Sequence, residues 1–185
     1  MWHWPFDYKP LYEKYYRQYT VASDQAALWQ KKYFELKNKP ADQIIPEPVT
    51  YGFISSTQII ELFVDKFGIE VVPMLKIKDG TFKATTVEEM MFGVVLSGVS
   101  KMIYEPEFCD CDDFSFALTG WFCLHKGWQA LPFGSVTDFI GVAHHNQNCF
   151  VAYEDMTLKK LVLKFIEPQD NRFVDPAKIE LVTMP

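Results

Sequence analysis

The chain has 185 residues, of which 49% are hydrophobic and 16% aromatic, and its 24 acidic against 18 basic side chains give a formal charge of −6. That is apolar material for one packed domain plus an appendage, and too little charge for a disordered chain. The acidic balance and the lack of any Lys/Arg block exclude a phosphate-tracking surface, so nucleic acid is not an expected partner.

No window holds the roughly 18 uncharged apolar residues that a membrane span needs, so no span is expected. The stretch Met1-Trp2-His3-Trp4-Pro5-Phe6-Asp7 lacks the basic and apolar regions of a secretory signal, and cytosolic synthesis without a signal peptide is the expectation.

In chain order, apolar side chains recur at steps of four and three through Tyr8, Tyr12, Tyr15, Tyr19, Ala22, Ala26, Trp29, Tyr33 and Leu36. This heptad seam predicts a long helix from about Pro10 to Asn38, an arm spanning 1–40. Such a stripe either lies on its own domain or self-associates, making a homo-oligomer or an assembly contact. Trp2, Trp4 and Phe6 form an aromatic cluster ahead of it that would dock on the body or bind a partner. The proline-bearing stretch from Pro40 to Pro48 reads as a linker into a body spanning 41–185.

Within the body, Ser55-x-x-Gln58 reads as a capping box that opens a helix through Phe63 and Val64 and ends at Gly68. Val71 to Ile77 and Thr81 to Ala84 flank Asp79-Gly80, which predicts a β-hairpin. Thr86-x-x-Glu89 opens a second helix, expected to reach Tyr104, in which Gly93 and Gly98 point to close packing. A third helix is predicted from Asp110 to about His125, ended by Gly127. Strands follow over Phe139 to Ala143, Asn148 to Tyr153, Lys160 to Ile166 and Ile179 to Val182. Trp121, Trp128, Phe133 and Phe139 are expected in packing between helix and sheet.

The four cysteines, Cys109, Cys111, Cys123 and Cys149, are expected to be reduced, because a body this apolar needs no disulfide staple. Their spacing and the adjacent His144-His145 do not suit a zinc site. Cys123 and Cys149 are expected in the core. Cys111 falls in the first turn of the third helix, where free N–H groups favour a thiolate, although Asp110, Asp112 and Asp113 oppose one. The histidines and Glu167 follow in the order thiol, base, acid, which is the order of an α+β cysteine peptidase.

The strings Asp110-Cys111-Asp112-Asp113-Phe114-Ser115-Phe116, His145-x-x-Asn148 and Phe165-Ile166-Glu167-Pro168-Gln169 resemble the papain-like C-terminal domain of the fairy-ring mushroom agglutinin and its relatives in phages and bacteria. The resemblance spans roughly Tyr104 to Asn171. It implies an α+β domain with a papain-like helix packed on a small antiparallel sheet, preceded here by the long N-terminal helix. It further implies a cysteine endopeptidase acting on a polypeptide, with Cys111 as nucleophile, His145 as base and Glu167 orienting the imidazole. His144 competes with His145, and the three-residue step to Asn148 favours the latter. Since the agglutinin's peptidase is calcium-dependent, Asp112 and Asp113 become candidate calcium ligands. The agglutinin's sugar-binding trefoil has no counterpart in the sequence. The rival expectations are a virion-associated or other assembly protein that oligomerises through its N-terminal helix, and an acyl transfer such as transglutamination using the same groups.

Overall fold

The computed structural model describes residues 45–105, 109–140, 143–157 and 159–185. The expected helix over Pro10 to Asn38 and the Trp2, Trp4 and Phe6 cluster lie outside the described residues. The chain divides into two compact units, Met1–Ile45 and Pro46–Pro185. The second is an α+β unit, and none of its helices is long and apolar enough to cross a membrane.

Strand β1 (Phe53–Ser55) leads into helix α1 (Ser56–Phe67) through the expected capping box. The Gln58 amide donates to Ser55 Oγ at 3.2 Å and the Ser55 amide donates to Gln58 Oε1 at 3.0 Å. Gly68, with φ of 84°, ends the helix by donating its N–H to the Val64 carbonyl. A 3-10 segment, Ile69–Met74, leads to β2 (Leu75–Ile77), and β3 (Thr81–Lys83) follows the Asp79-Gly80 turn.

The hairpin expected across that turn does not form. Strand β2 pairs in parallel with β8 (Ile179–Met184), while β3 pairs antiparallel with β1. A turn dipeptide permits reversal of the chain but does not choose the partner. Phe82 and Ala84 are buried in the same core as Met184, and Leu75 and Ile77 pack against it, so each half gains a strand partner inside the core.

Helix α2 (Val87–Ser97) is shorter than expected. Thr86 Oγ1 accepts from the Glu89 amide at 3.2 Å, but Glu89 Oε1 is used elsewhere, accepting from the Val49 amide at 3.1 Å. Gly98 adopts φ of 67° and caps the helix, so its role is the left-handed turn and not close packing. Gly93 does serve close packing, because a Cβ there would overlap the Trp128 ring. Helix α3 (Cys111–Leu124) is close to the predicted span.

The main sheet has the order β2-β8-β4-β5-β6-β7, with β4 (Phe133–Ile140), β5 (Ala143–Asp155), β6 (Lys160–Glu167) and β7 (Arg172–Val174). Its six strands, one pair of them parallel, correct the expectation of a small antiparallel sheet. Strand β5 also starts earlier than predicted and carries both histidines inside the ladder.

Alternate residues of β5 serve opposite faces, as the pleat requires. Cys149 and Val151 join Ile59, Phe63, Val136 and Phe165 in the core under α1. Phe150 faces the other way, towards Phe133, which stacks on Phe122 of α3 with ring centroids 3.8 Å apart. Trp128 is fully buried there and its indole donates to the Pro46 carbonyl at 2.9 Å. Trp128 and Phe133 are thus packing residues, whereas Cys123, expected in the core, is exposed on α3.

Candidate functional site

Antiparallel pairing sets Asp138 of β4 directly opposite His145 of β5, on the register that continues Val136 and Cys149 towards the sheet's end. Glu167 closes β6 on the same side. Asp138, His145, Gln147 and Glu167 line one open pocket of about 550 Å³, rimmed by Arg172, Phe173 and the segment that ends at Ala177. The site is where a core-facing row of the sheet turns polar.

His145 Nε2 lies 2.7 Å from Glu167 Oε2, with 17% and 10% of the two side chains exposed. This hydrogen bond raises the imidazole pKa against the opposing effect of burial, helped by the charges of Glu167 and Asp138. Burial pushes the Glu167 carboxyl up, but the bond and charge of His145, the Gln169 amide and Arg172 more than offset it, and its pKa is lowered. Asp138 is raised, chiefly by burial. Its side chain is hydrogen-bonded to that of Gln147, yet Asp138 Oδ1 and Gln147 Oε1 are buried without a protein partner. Asp138 is 3% exposed and Gln147 1%. Both oxygens are closed off from solvent, and an unpaired buried acceptor costs about 1–3 kcal/mol.

The expected nucleophile sits on α3. This helix is tied to β5 by Ser115 Oγ, which donates to the Gln147 carbonyl at 2.9 Å, and by Asn148 Nδ2, which donates to Ser115 O, Thr119 Oγ1 and Gly134 O at 2.9–3.2 Å. Cys111 thereby comes to the start of β5, where it is hydrogen-bonded to the Asn146 backbone. Among the described residues no hydrogen bond joins its thiol to the His145 ring. Burial pushes the thiol pKa up, and Asp110 and Asp112 push it further, against the Asn146 bond. The helix start alone does not make a thiolate here.

His144 is exposed and its Nδ1 is 2.7 Å from Glu180 Oε2, so of the two histidines it is His145 that meets Glu167. The acidic residues divide as well. Asp113 turns its carboxylate back to accept from the Asp110 amide at 3.3 Å, the helix-capping role. Asp110, Cys111 and Asp112 bring one ligand atom each within 4.8 Å of one another. Two carboxylate oxygens and a sulfur do not fit calcium, which takes six to eight oxygens. Asp112 is instead raised to about 6 by its hydrogen bond with Asp110, by burial and by neighbouring charge.

Asp138 and Gln147 were not singled out from the sequence. A signal was present: both stand at core-facing positions of strands, in step with Val136 and Cys149, where a polar side chain is expensive unless it has a use.

The sequence matches no family model and no curated protein. Solved structures do match it. One is a complex of PSL1a with E64, at 18% identity and a TM-score of 0.59, covering 71% of this chain and 51% of that one. Another is the Polyporus squamosus lectin bound to a human-type influenza-binding epitope, Neu5Aca2-6Galb1-4GlcNAc, at 18% identity and a TM-score of 0.54, covering 71% of this chain and 49% of that one. The chain thus spans about half the length of the structures it matches, and the likeness shows the fold. The expected kinship with a mushroom agglutinin holds at that level. The expected function, cysteine endopeptidase, is corrected: the matched structures are of a lectin, and Cys111 has a raised thiol pKa with no hydrogen bond to the imidazole. The hydrolase and thiol-protease description falls with it.

Proposed function

We propose that the body of this chain is a carbohydrate-binding module whose ligand occupies the open pocket over His145 and Glu167. The observation that carries the reading is the open pocket of about 550 Å³ lined by the polar side chains of Asp138, His145, Gln147 and Glu167 at core-facing strand positions. Sugar hydroxyls supply hydrogen-bond donors and acceptors in adjacent pairs. The ionic pair of His145 and Glu167 holds the neighbouring wall, and Arg172 adds donors at the rim. Phe173 is 49% exposed on the edge strand, but its ring turns to Phe150 on the α3 face. The Polyporus lectin structure holds a glycan, but this chain covers 49% of that lectin and shares its fold alone, so the ligand class rests on the pocket itself.

In this reading His145 and Glu167 are binding groups, and Cys111 anchors the start of α3 against β5. Titration of the full chain with a panel of methyl glycosides, followed by nuclear magnetic resonance, tests it. Shifts centred on Asp138, Gln147 and Glu167 are expected, with affinity falling about tenfold in Gln147→Leu, the loss of one hydrogen-bonding side chain. Retention of no glycoside, or unchanged affinity in a folded Gln147→Leu chain, overturns it.

A further inference from the structure

Strand β6 is covered on one side over nearly its whole length and on the other over less than half of it. Residues 160–166 pair with β5, but β7 reaches only Phe165, Ile166 and Glu167. It stops there because Asp175 is drawn to Lys66 at 2.7 Å and is followed by Pro176, which has no N–H to donate. Among the described residues no strand lies beside 160–164 on that side. Successive residues of a strand turn their N–H and C=O to opposite sides, so alternate residues of this stretch present both groups to an open edge. Burial follows the cover. Phe165, Ile166 and Glu167 are buried, whereas Lys160 is exposed and 161–164 are half-buried. Where the ladder would continue past β7, a groove of about 330 Å³ opens among Lys66, Leu163, Lys164, Val174 and Asp175.

The side chains along the edge specify what fits it. Lys160, Val162 and Lys164 share one face, and Leu161 and Leu163 share the other, where they pack on the core. Lys160 and Lys164 divide one carboxylate, Glu154, between them at 2.5 and 3.1 Å. With Lys66 and Lys159 beside them, and Asp155 and Asp175 as the other acids, the edge keeps a positive charge in a chain of −6 overall. A second copy of this chain is disfavoured. Two-fold antiparallel pairing about Val162 sets Lys160 against Lys164 twice over, and like charges directly opposite destabilise a ladder. Lysines on an edge keep identical strands apart, but they attract a strand of opposite charge.

We infer that the open half of β6 takes up an extended peptide of a partner protein as an added strand, with acidic side chains four residues apart and apolar or β-branched ones between them. The two acids meet Lys160 and Lys164, and the residue midway lies against Val162. The remaining two continue the apolar row of Leu161 and Leu163. The inference does not depend on what the pocket over His145 binds.

The experiment is a nuclear magnetic resonance titration of the full chain at low salt with three peptides. The first is Ser-Glu-Val-Thr-Val-Glu-Ser. The second has lysines for the glutamates, and the third has prolines for the central Val-Thr pair, which removes one backbone donor on each side of the strand. The acidic peptide is expected to shift the amides of Leu161, Val162, Leu163 and Lys164 and to bind about tenfold tighter than the lysine peptide, while the proline peptide does not bind. In a chain carrying Lys160→Glu and Lys164→Glu the preference reverses to the lysine peptide. The three peptides are compared on the unaltered chain, so a misfolded variant leaves the test intact. Equal affinity for the acidic and lysine peptides, binding of the proline peptide, shifts centred away from β6, or no binding overturns the inference. Shifts at the same amides that grow with chain concentration alone put a second copy on the edge and overturn it as well.

Discussion

The two faces of β5 use polar residues in opposite ways. On the face towards α3, Asn148 spends its amide hydrogens on Ser115, Thr119 and Gly134, and the helix is thereby fixed to the sheet. On the face towards the pocket, Asp138 and Gln147 line the opening, and each has one oxygen without a protein partner, as Asn148 has on its own face. Both sets are buried, so burial alone does not tell a structural polar residue from a binding one. The difference lies in what the hydrogen bonds connect. Bonds that join two elements hold the fold, whereas polar side chains lining an open pocket are placed to meet something else.

This contrast is sharpest where it predicts opposite signs. On the α3 face, Phe133→Ala removes a ring stacked between Phe122 and Phe150, and unfolding by denaturant is expected to show a loss of about 3–5 kcal/mol. Asn148→Ala removes the amide that ties Ser115 of the helix and Gly134 of β4 to β5, with an expected loss of about 2 kcal/mol in the same measurement. A cost as small for Asn148→Ala as for a surface change breaks the comparison.

On the pocket face, Asp138→Asn is expected to leave the chain as stable or to raise its melting temperature above neutral pH. Burial raises the Asp138 pKa from 3.8, so the wild-type chain loses stability as pH rises from 3.8 through the raised value and stays at the lower level above it, a loss the amide does not suffer. Ligand binding moves in the other direction. A melting temperature that falls sharply at pH 8 in Asp138→Asn would place Asp138 with the fold-holding residues.

The His145–Glu167 pair sets the smallest effect, a shallow dependence of stability on pH. Glu167 has its pKa lowered from 4.5, so its contribution is present above that value and lost as pH falls through the lower one. His145 has its pKa raised from 6.5, so its contribution is complete below that value and lost as pH rises through the higher one. The pair is fully formed between 4.5 and 6.5, where the wild-type melting temperature is expected to exceed that of Glu167→Gln by the most. A difference that is constant from pH 4 to pH 9 rules the pair out as an ionic one.

Much of the local structure was legible in the chain. Ser55 and Gln58, Thr86 before Glu89, and Gly68 mark helix ends by hydrogen bonds made within a few residues, and such signals need no tertiary context, whereas Gly98 was expected inside a helix that it ends. The meeting of His145 with Glu167 was also expected, from the resemblance and the spacing to Asn148. The failed hairpin at Asp79-Gly80 and the early start of β5 were not. Both depend on which distant strand supplies a partner, and β8, about a hundred residues on from β2, is beyond any local pattern.

The sequence by itself determined where the helices begin and that helix and sheet would combine in one acidic body, and it favoured His145 over His144 as the partner of Glu167. Only the tertiary structure decided that the Cys111 thiol bonds to the backbone of β5 and has its pKa raised, and that Asp138 and Gln147 share a pocket. The reason is physical. Capping and periodicity are settled by neighbours along the chain, but whether a buried oxygen finds a donor depends on strands brought together from far apart, and register places Asp138 opposite His145.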